Sequence, residues 1–516
     1  MAIRTRSAVA VKPNPVTSYA ADGLIALPAR RKGLPCQQDE NSHGSAHIEI
    51  PILPEDIWRH IHSLMPMRDA ARAACVSHSF LSSWRYHPNL NFSSETLGLD
   101  KNACGRDKLA RVFYGKVDHI LKRHSGTGVK KLKIQINSIY SSEGSGYLNN
   151  WLQIAVKPGI EELTFVLIQY KANYDFPCSL LSNGSGDSVQ YLHLSNCSFH
   201  PSVTLGCLRS LTRLHLCLVR ITDDELGCLL SYSLALKRLE IRYCYKIVCL
   251  KVPCLLQRLR SLEVFTGGAK LERIVNEAPN VSSFAFEVRN TVQLSLGETL
   301  QMKSLEMVCP GYVFHACAKL PSSMPNLESL TISSSKEIAP ATTLSSKFLY
   351  LRHLSIALIG STFSPAYDYL SLASFINAAP SLENFNLNVW QRYMQNVSIF
   401  ADSTDLRRMK EAQQHQSLKS VRITAFSSAK SLVELTCHIL ETATSLEFLT
   451  LEALQSCMRC TARGNNTGKC SSVPRNILME GLRGVVAIRR YIEPRVPPTV
   501  KLHVLEPCCS CHGIEL

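Results

Sequence analysis

Cysteine and histidine are the residues of this chain whose types and spacing most directly suggest chemistry. Two groups near the C-terminus resemble zinc ligands, and they comprise Cys457, Cys460, Cys470, Cys508, Cys509, Cys511 and His512. Thiolates separated by two residues are able to share a tetrahedral zinc ion. A second Cys-x-x-Cys pair is missing, however, and the terminal group follows a different predicted element. Free thiols are therefore the favoured interpretation, the zinc interpretation stays open, and no metal or cofactor is predicted.

Catalytic groups are less evident than metal ligands. Gly126-Thr127-Gly128 and Gly184-Ser185-Gly186 lack the flanking strand, helix and lysine of a phosphate-binding loop. The 17 histidines are scattered, with no spacing that pairs one of them with a nucleophile. The sequence therefore predicts a protein that is not an enzyme.

Length and charge limit the classes of protein to consider. With 516 residues, the chain is too long for one compact core, so several domains or one elongated repeat domain are expected. The formal net charge of +15 favours acidic partners, but no basic stripe is interleaved with aromatic residues, so nucleic-acid binding is not favoured. No stretch approaches the roughly 18–20 apolar residues of a membrane-spanning helix.

The 20 cysteines indicate a reducing compartment, because the N-terminus lacks the apolar core of a signal peptide. We therefore expect the protein in the nucleus or the cytoplasm. Residues 1–47 are rich in Ala, Pro, Ser, Gly and Arg, and they predict a disordered leader. Whether this leader includes a targeting signal stays open.

Residues 50–90 predict three short helices. Pro54 suits the start of the first, and Ile57, Ile61 and Leu64 form one apolar stripe along it. Pro66 ends that helix, and Ser77 is a plausible N-cap for the third. So small a unit needs a partner to cover its remaining apolar face. Residues 91–128 are expected to form a helical connector.

Residues 129–452 carry an internal repeat of the form Leu-x-x-Leu-x-Leu. Its second apolar position falls at Leu132, Leu163, Leu192, Leu214, Leu239, Leu262, Phe284, Leu305, Leu330, Leu354, Phe385, Val421 and Leu449. Seven consecutive gaps lie between 21 and 25 residues, within the range of leucine-rich repeats. The pattern predicts an α/β solenoid, with a parallel sheet on the concave face and helices or loops on the convex face. Residues 453–516 predict a loop, a helix and a closing strand.

Residues 53–85 resemble a plant F-box. The Leu-Pro-Glu-Asp-Ile opening, the Met-Arg-Asp-Ala-Ala middle and the closing Trp84-Arg85 carry this resemblance. From residue 50 to the end, the chain is similar to plant F-box/leucine-rich-repeat proteins. The resemblance implies the substrate-recognition subunit of a Skp–cullin–F-box E3 ubiquitin ligase, with a Skp-type adaptor, and through it a cullin, as partners.

The resemblance also assigns candidate sites. The positions of the motif that face the adaptor correspond to Leu53, Pro54, Ile57, Ile61, Leu64, Ala70, Val76 and Trp84. Some of these must also form the core of the F-box itself. The alternating pattern of the repeats, not the resemblance, gives the candidates for contact with a target protein. They are exposed positions between the strand leucines, namely Arg213, His215, Arg238, Glu240, Arg352 and His353. Two alternatives stay open: a ligase-independent binding scaffold, and a basic surface that binds nucleic acid or phosphorylated ligands.

Overall fold

The fold is given by a computed structural model that describes most of the chain from Leu53 onward. The described residues are 53–99, 106–136, 144–168, 174–182, 184–201, 208–267, 270–287, 292–297, 300–311, 313–335, 337, 347–359, 367–390, 397–401, 405–409, 414–455, 458 and 473–508. The predicted leader lies outside them. So do most of the candidate zinc ligands, namely Cys457, Cys460, Cys470, Cys509, Cys511 and His512.

Three short helices open the described chain, as the sequence predicts. They are α1 (Glu55–Leu64), α2 (Met67–Ala73) and α3 (His78–Trp84). Pro66 separates the first two helices and occupies the N-cap of α2. Helices α1 and α3 pack through the Phe80 ring, which lies 4.9 Å from the ring of Trp58 and 4.8 Å from that of His62.

The other helices alternate with strands along the rest of the chain. They are α4 (Arg106–Arg123), α5 (Gly144–Ala155), α6 (Asp223–Tyr232), α7 (Val313–Ser323), α8 (Ala373–Asn377), α9 (Lys430–Thr442) and α10 (Arg475–Ala487). Helix α6 begins with a capping box, in which Thr222 and Glu225 satisfy each other's backbone N–H groups. Helix α10 continues into a π-helical turn over Ile488–Ile492. In the parts of the chain that the structure describes, no helix combines the length and the apolar character needed to cross a bilayer.

The described parts of the chain contain eighteen strands. They are β1 (Asn89–Phe92), β2 (Lys131–Ile136), β3 (Glu162–Leu167), β4 (Tyr191–Ser195), β5 (Arg213–Cys217), β6 (Arg238–Arg242), β7 (Cys249–Val252), β8 (Ser261–Phe265), β9 (Arg273–Asn276), β10 (Ser283–Glu287), β11 (Gln293–Ser295), β12 (Ser304–Val308), β13 (Ser329–Ser334), β14 (His353–Ile359), β15 (Asn384–Trp390), β16 (Ser420–Thr424), β17 (Phe448–Glu452) and β18 (Lys501–Leu505). Fifteen of them form one parallel sheet, and β7, β9 and β11 form a smaller one.

The register of the large sheet confirms the predicted solenoid of repeats. Every repeat position from Leu132 to Leu449 is paired with its equivalent on the next strand. The ladder continues to Leu90 on β1 and Leu502 on β18. These side chains alternate with polar neighbours, so one face of the sheet is buried and the other is exposed. The exposed side is called the open face below.

The three-helix segment is joined to the sheet by direct hydrogen bonds. The backbone N–H of Lys130 donates to the carbonyl of Pro88 at 2.8 Å, and that of Ser125 donates to the carbonyl of Arg85 at 2.9 Å. Strand β1 also pairs directly with β2. Met67 of α2 belongs to the same buried core as the strands. Residues from Leu53 onward therefore form one compact unit.

The C-terminal end of the sheet is closed by α9 and α10. Helix α10 lies so close to the turn after β16 that a Cβ at Gly484 would approach the carbonyl oxygen of Phe426 to 2.3 Å. Glycine is required here by space, because any side chain would push the helix away. Glu480 of α10 accepts hydrogen bonds from the backbone N–H and the hydroxyl of Ser428, at 2.9 and 2.7 Å.

Candidate functional site

Helix α1 presents an apolar stripe to solvent. Trp58 and His62 pack on α3, and Ser82 of α3 donates to Glu55 at 3.2 Å, so this side of α1 is internal. Ile57, Ile61 and Leu64 form the stripe, which lies away from this internal side. All three are exposed, and 73% of the surface of Leu64 is accessible. These three residues, together with the exposed Pro54 and Val76, are called the apolar helical face.

The remaining predicted adaptor positions divide between surface and core. Leu53 is half-buried, and Trp84 is partly buried against the core of the repeats. Ala70 is fully buried. The prediction for Ala70 is therefore corrected: it is a packing residue of α2, since it has no surface with which to contact another chain.

Buried histidines connect the backbone segments that follow α1, α3 and α4. The backbone N–H of Asn89 donates to Nδ1 of His87 at 3.2 Å, so Nε2 of this ring carries the proton and donates to the carbonyl of Met65 at 3.2 Å. His124 repeats the arrangement, accepting from Gly126 at 3.0 Å and donating to the carbonyl of His87 at 3.0 Å. Both rings are thus held in the neutral form.

Burial lowers the pKa of all three histidines at this junction. Desolvation is the main cause for His62, His87 and His124, and the pKa values of His62 and His124 are lowered further by the neighbouring His87. Hydrogen bonds to backbone groups oppose the effect on the pKa of His87 and His124 without reversing it. Neither ring nitrogen of His62 has a hydrogen-bond partner. Protonation of these rings would therefore place charge in an apolar junction.

The open face of the sheet carries a group of arginines over strands β5 and β6. Arg213, Arg238 and Arg242 are called the arginine ladder, and Arg213 and Arg238 are register partners on adjacent strands. Arg238 contacts Glu263 at 2.6 Å, and Arg242 contacts the other oxygen of Glu263 at 3.1 Å. Arg242 also bonds Glu240.

The guanidinium groups are more exposed than the carboxylates that hold them. The side chains of Arg213 and Arg238 are 52% and 51% exposed, whereas those of Glu240 and Glu263 are 13% and 15% exposed. Arg213 is paired instead with Glu162, at 3.5 Å, and that side chain is 32% exposed. Burial opposes the charge of Arg242, but its contacts with Glu240 and Glu263 raise its pKa overall. The surface that a partner meets is therefore formed by the cations, although the cluster includes both signs of charge.

Aromatic rings flank the arginine ladder. The guanidinium of Arg213 lies 4.4 Å from the centre of the Tyr191 ring, and that of Arg242 lies 4.2 Å from the centre of the Phe265 ring. Both distances are typical of cation–π contacts. Beside them, the rings of His193 and His215 stack in parallel at 4.0 Å. Burial, followed by the neighbouring His215, lowers the pKa of His193 to about 4, and burial also lowers the pKa of His215.

The structure groups four of the six predicted target residues and separates two. Arg213, His215, Arg238 and Glu240 lie together on β5 and β6. Arg352 immediately precedes β14, where His353 begins the strand, and β14 is the fifth strand beyond β6 in the sheet order. These two side chains interact instead with Glu383 at 3.8 Å and Asn384 at 3.1 Å.

Sequence reasoning missed other members of this cluster, chiefly Arg242, Glu263, Phe265, Tyr191 and His193. Each occupies the first, third or fifth position of a strand whose apolar second position was recognised. Because alternate residues of a strand share a face, extending each repeat by one residue would have found Arg242 and Phe265.

The next strands present a different, uncharged row on the same face. The first positions of β8, β10, β12 and β13 are all serine and pair with one another, and they are Ser261, Ser283, Ser304 and Ser329. All four are half-buried. The arginine ladder is therefore bounded by small hydroxyl side chains on its C-terminal side.

A polar cavity of about 600 Å³ lies beside α9. Arg407 closes one side of it by donating to Asp368 at 2.9 Å and to the buried Glu434 at 2.6 Å. Its charged lining residues are Asp405, Arg407, Arg408, Glu434, Glu441 and Arg495, with equal numbers of each sign. This balance selects neither an anion nor a cation. Over the described ranges, no three histidine, cysteine or acidic side chains come together as a metal site would require.

Comparisons with known proteins agree with both parts of this architecture. Residues 120–509 match the family model described as At1g61320/AtMIF1, LRR domain, and residues 50–92 match the F-box domain model. The chain is similar to F-box/LRR-repeat protein At5g02910 of Arabidopsis thaliana, with 26% identity over 301 residues, covering 55% of this chain and 59% of that protein.

Two further Arabidopsis thaliana relatives match shorter stretches. F-box/FBD/LRR-repeat protein At5g56420 is 27% identical over 223 residues, covering 42% of this chain and 50% of its own length. FBD-associated F-box protein At5g56370 is 29% identical over 177 residues, covering 34% and 38%. The chain thus spans less than two thirds of the length of these relatives.

Proposed function

The chain belongs to the At1g61320/AtMIF1 leucine-rich-repeat family and is a plant F-box/leucine-rich-repeat protein, and from this we propose that it is the substrate-recognition subunit of a Skp–cullin–F-box E3 ubiquitin ligase. In this proposal α1–α3 bind a Skp-type adaptor, and the open face of the sheet holds a target protein. The chain itself performs no bond-making step. Its contribution is proximity, because it positions a lysine of the target for a transferase.

The observation that carries this proposal is the exposure of the apolar helical face. Ile57, Ile61 and Leu64 lie in water on a helix whose opposite side is packed. Complete burial of one such side chain contributes roughly 1.5–3 kcal/mol. Ile57, Ile61 and Leu64 are 40%, 36% and 73% exposed, so a second chain that covers the stripe would gain the corresponding part of this energy, most of it at Leu64, as in helix-in-groove recognition.

Co-expression with a Skp-type adaptor tests the proposal, with a single charge placed in the stripe. Leu64→Asp should lower adaptor affinity by about a hundredfold, because it removes apolar burial and leaves an unpaired charge in the interface. Leu255→Asp is the matched control, since Leu255 is also exposed, at 56%, but lies among the repeats. Affinity is measured by titration calorimetry, with circular dichroism as the check on folding.

The outcome also discriminates the alternatives. A wild-type chain that binds no Skp-type adaptor would leave the ligase-independent scaffold as the better account. Equal loss of affinity in both variants would show that the stripe is not the adaptor surface.

A further inference from the structure

Three carboxylates, those of Glu162, Glu240 and Glu263, pair with the three arginines of the ladder, so the charges balance, but the two signs of charge differ in exposure. Glu240 and Glu263 lie beneath the guanidinium groups and are largely covered by them. A partner approaching β5 and β6 therefore meets the guanidinium groups of Arg213 and Arg238 before it meets the carboxylate of Glu240 or Glu263. We propose that the ladder binds an acidic segment, rich in Asp and Glu, of the target protein. This inference rests on the proposed function in that it names the class of target for the same open face.

The ladder is ordered before any partner arrives. Glu263 holds Arg238 and Arg242 together, and the ring of Phe265 lies under Arg242. A guanidinium group has five N–H donors in a fixed plane, so donors remain after these contacts. Immobilising a flexible side chain costs roughly 0.5–1.5 kcal/mol on binding. Because these arginines are already ordered in the free chain, they lose less side-chain entropy when a partner binds.

The spacing of the ladder suits more than one carboxylate. Arg213 and Arg238 occupy equivalent positions on strands that lie about 4.8 Å apart. Paired N–H groups of arginine match the two oxygens of a carboxylate. Neighbouring acidic side chains of one segment are thus able to engage neighbouring strands.

Aromatic side chains border this surface and indicate a protein partner. Tyr243 and Tyr245, which follow β6, are exposed, and Tyr191 lies under Arg213. Tyrosine and arginine are the residue types enriched where binding energy is concentrated in protein interfaces. Beyond β8, strands β10, β12 and β13 begin with the serines of the uncharged row and carry no arginine, so the ladder does not continue onto them.

The experiment uses the full chain, purified both alone and with its adaptor, and a defined probe. The probe is a fluorescein-labelled peptide of four Asp-Glu repeats, and its neutral counterpart has four Asn-Gln repeats. Binding is followed by fluorescence anisotropy at low and at physiological salt. The wild-type chain should bind the acidic peptide at least tenfold more tightly than the neutral peptide, with a steep dependence on salt.

Matched variants locate the binding. Arg213→Glu with Arg238→Glu should lower the affinity for the acidic peptide at least tenfold. Arg213→Lys with Arg238→Lys keeps the charge and the fold but loses paired donation, so an intermediate loss of threefold or more is expected. The control is Lys303→Glu with Lys419→Glu, which reverses two exposed charges in ion pairs elsewhere on the repeats and should change affinity less than threefold.

Three results would overturn the inference. One is an equal loss of affinity in the ladder and control variants. Another is equal binding of the acidic and neutral peptides. The third is ladder-dependent binding of a single-stranded oligonucleotide more tightly than the peptide. Adaptor binding is measured on the same samples, so failure of the adaptor complex with retained peptide binding would count against the proposed function and leave the ladder's specificity standing.

Discussion

The apolar helical face and the arginine ladder are two exposed surfaces built on opposite principles. The first displays Ile57, Ile61, Leu64 and their neighbours from one short stretch of sequence. The second is assembled from β4, β5, β6 and β8, strands of four successive repeats within residues 191–265, and it displays guanidinium groups and rings. A surface made from one helix corresponds to a contiguous sequence motif, so many chains are able to carry it and bind the same partner. A surface made from several repeats changes with each strand and suits a partner particular to one chain.

The largest effect on stability is expected from a substitution at a buried position of the F-box, compared with the same substitution at an exposed one. Ala70→Asp should destabilise the chain by about 3 kcal/mol or more, because Ala70 is fully buried and the carboxylate would find no water. Val76→Asp introduces the same side chain at a residue that is 83% exposed, and it should preserve stability while weakening adaptor binding. Urea denaturation and adaptor titration distinguish the two. A folded Ala70→Asp chain of normal stability would return Ala70 to the adaptor surface.

Acid should weaken the junction of the three buried histidines. The pKa values of His62, His87 and His124 are lower in the folded chain than the usual value of about 6.5 in an unfolded chain. As pH falls below about 6.5, the unfolded chain takes up protons first, so the free energy of unfolding decreases. Each histidine contributes at most about 1.4 kcal/mol per pH unit, so the free energy of unfolding, measured by urea denaturation, should decrease steadily from pH 7.5 to 5.5.

A glutamine variant and a regional measurement test that assignment. His193, His215, His415 and His438 also have lowered pKa values and add to the total. His124→Gln keeps one donor and one acceptor and should reduce the pH dependence by the share of one histidine. Hydrogen exchange at pH 5.5 should show protection lost over α1–α3. Unchanged protection there would contradict the prediction.

The smallest expected effect tests whether ordering of the arginines by Glu263 aids the binding of an acidic peptide. Glu263→Gln removes the carboxylate that orders Arg238 and Arg242, at an expected cost of about 1–2 kcal/mol in stability. Simple attraction predicts tighter binding of an acidic peptide, because the face becomes more positive. Prior ordering of the arginines predicts a two- to fivefold loss. Glu306→Gln, at an exposed third position on β12, is the control and should not weaken binding.

The sequence predicts the repeats well because each strand is specified locally. All the apolar positions from Leu132 to Leu449 fall on one continuous ladder. Strand β1 was missed, since its four residues, Asn89–Phe92, carry only a fragment of the repeat. The small sheet of β7, β9 and β11 was missed as well, because its strands have three or four residues and lie between repeats.

Candidate sites were predicted less completely than the fold. The stripe on α1 follows from helical spacing alone, whereas the exposure of Ile57, Ile61 and Leu64 is seen only in the structure. The arginine ladder depends on register between strands, which no single repeat reveals, so Arg242 and Glu263 were not recognised. Arg352 and His353 were included for their exposed positions, and only the strand order shows that they lie elsewhere.

Because the F-box is joined directly to the sheet, the number of strands between the F-box and a site on the sheet corresponds to a distance. With Pro88 bonded to Lys130 and β1 paired to β2, the described residues leave no hinge between the two parts. Strands β5 and β6 lie four and five steps from β1, which is roughly 19–24 Å at about 4.8 Å per step. A target held there would be presented at a set reach from the adaptor. Which of its lysines is modified would then depend on how many residues separate that lysine from the acidic segment.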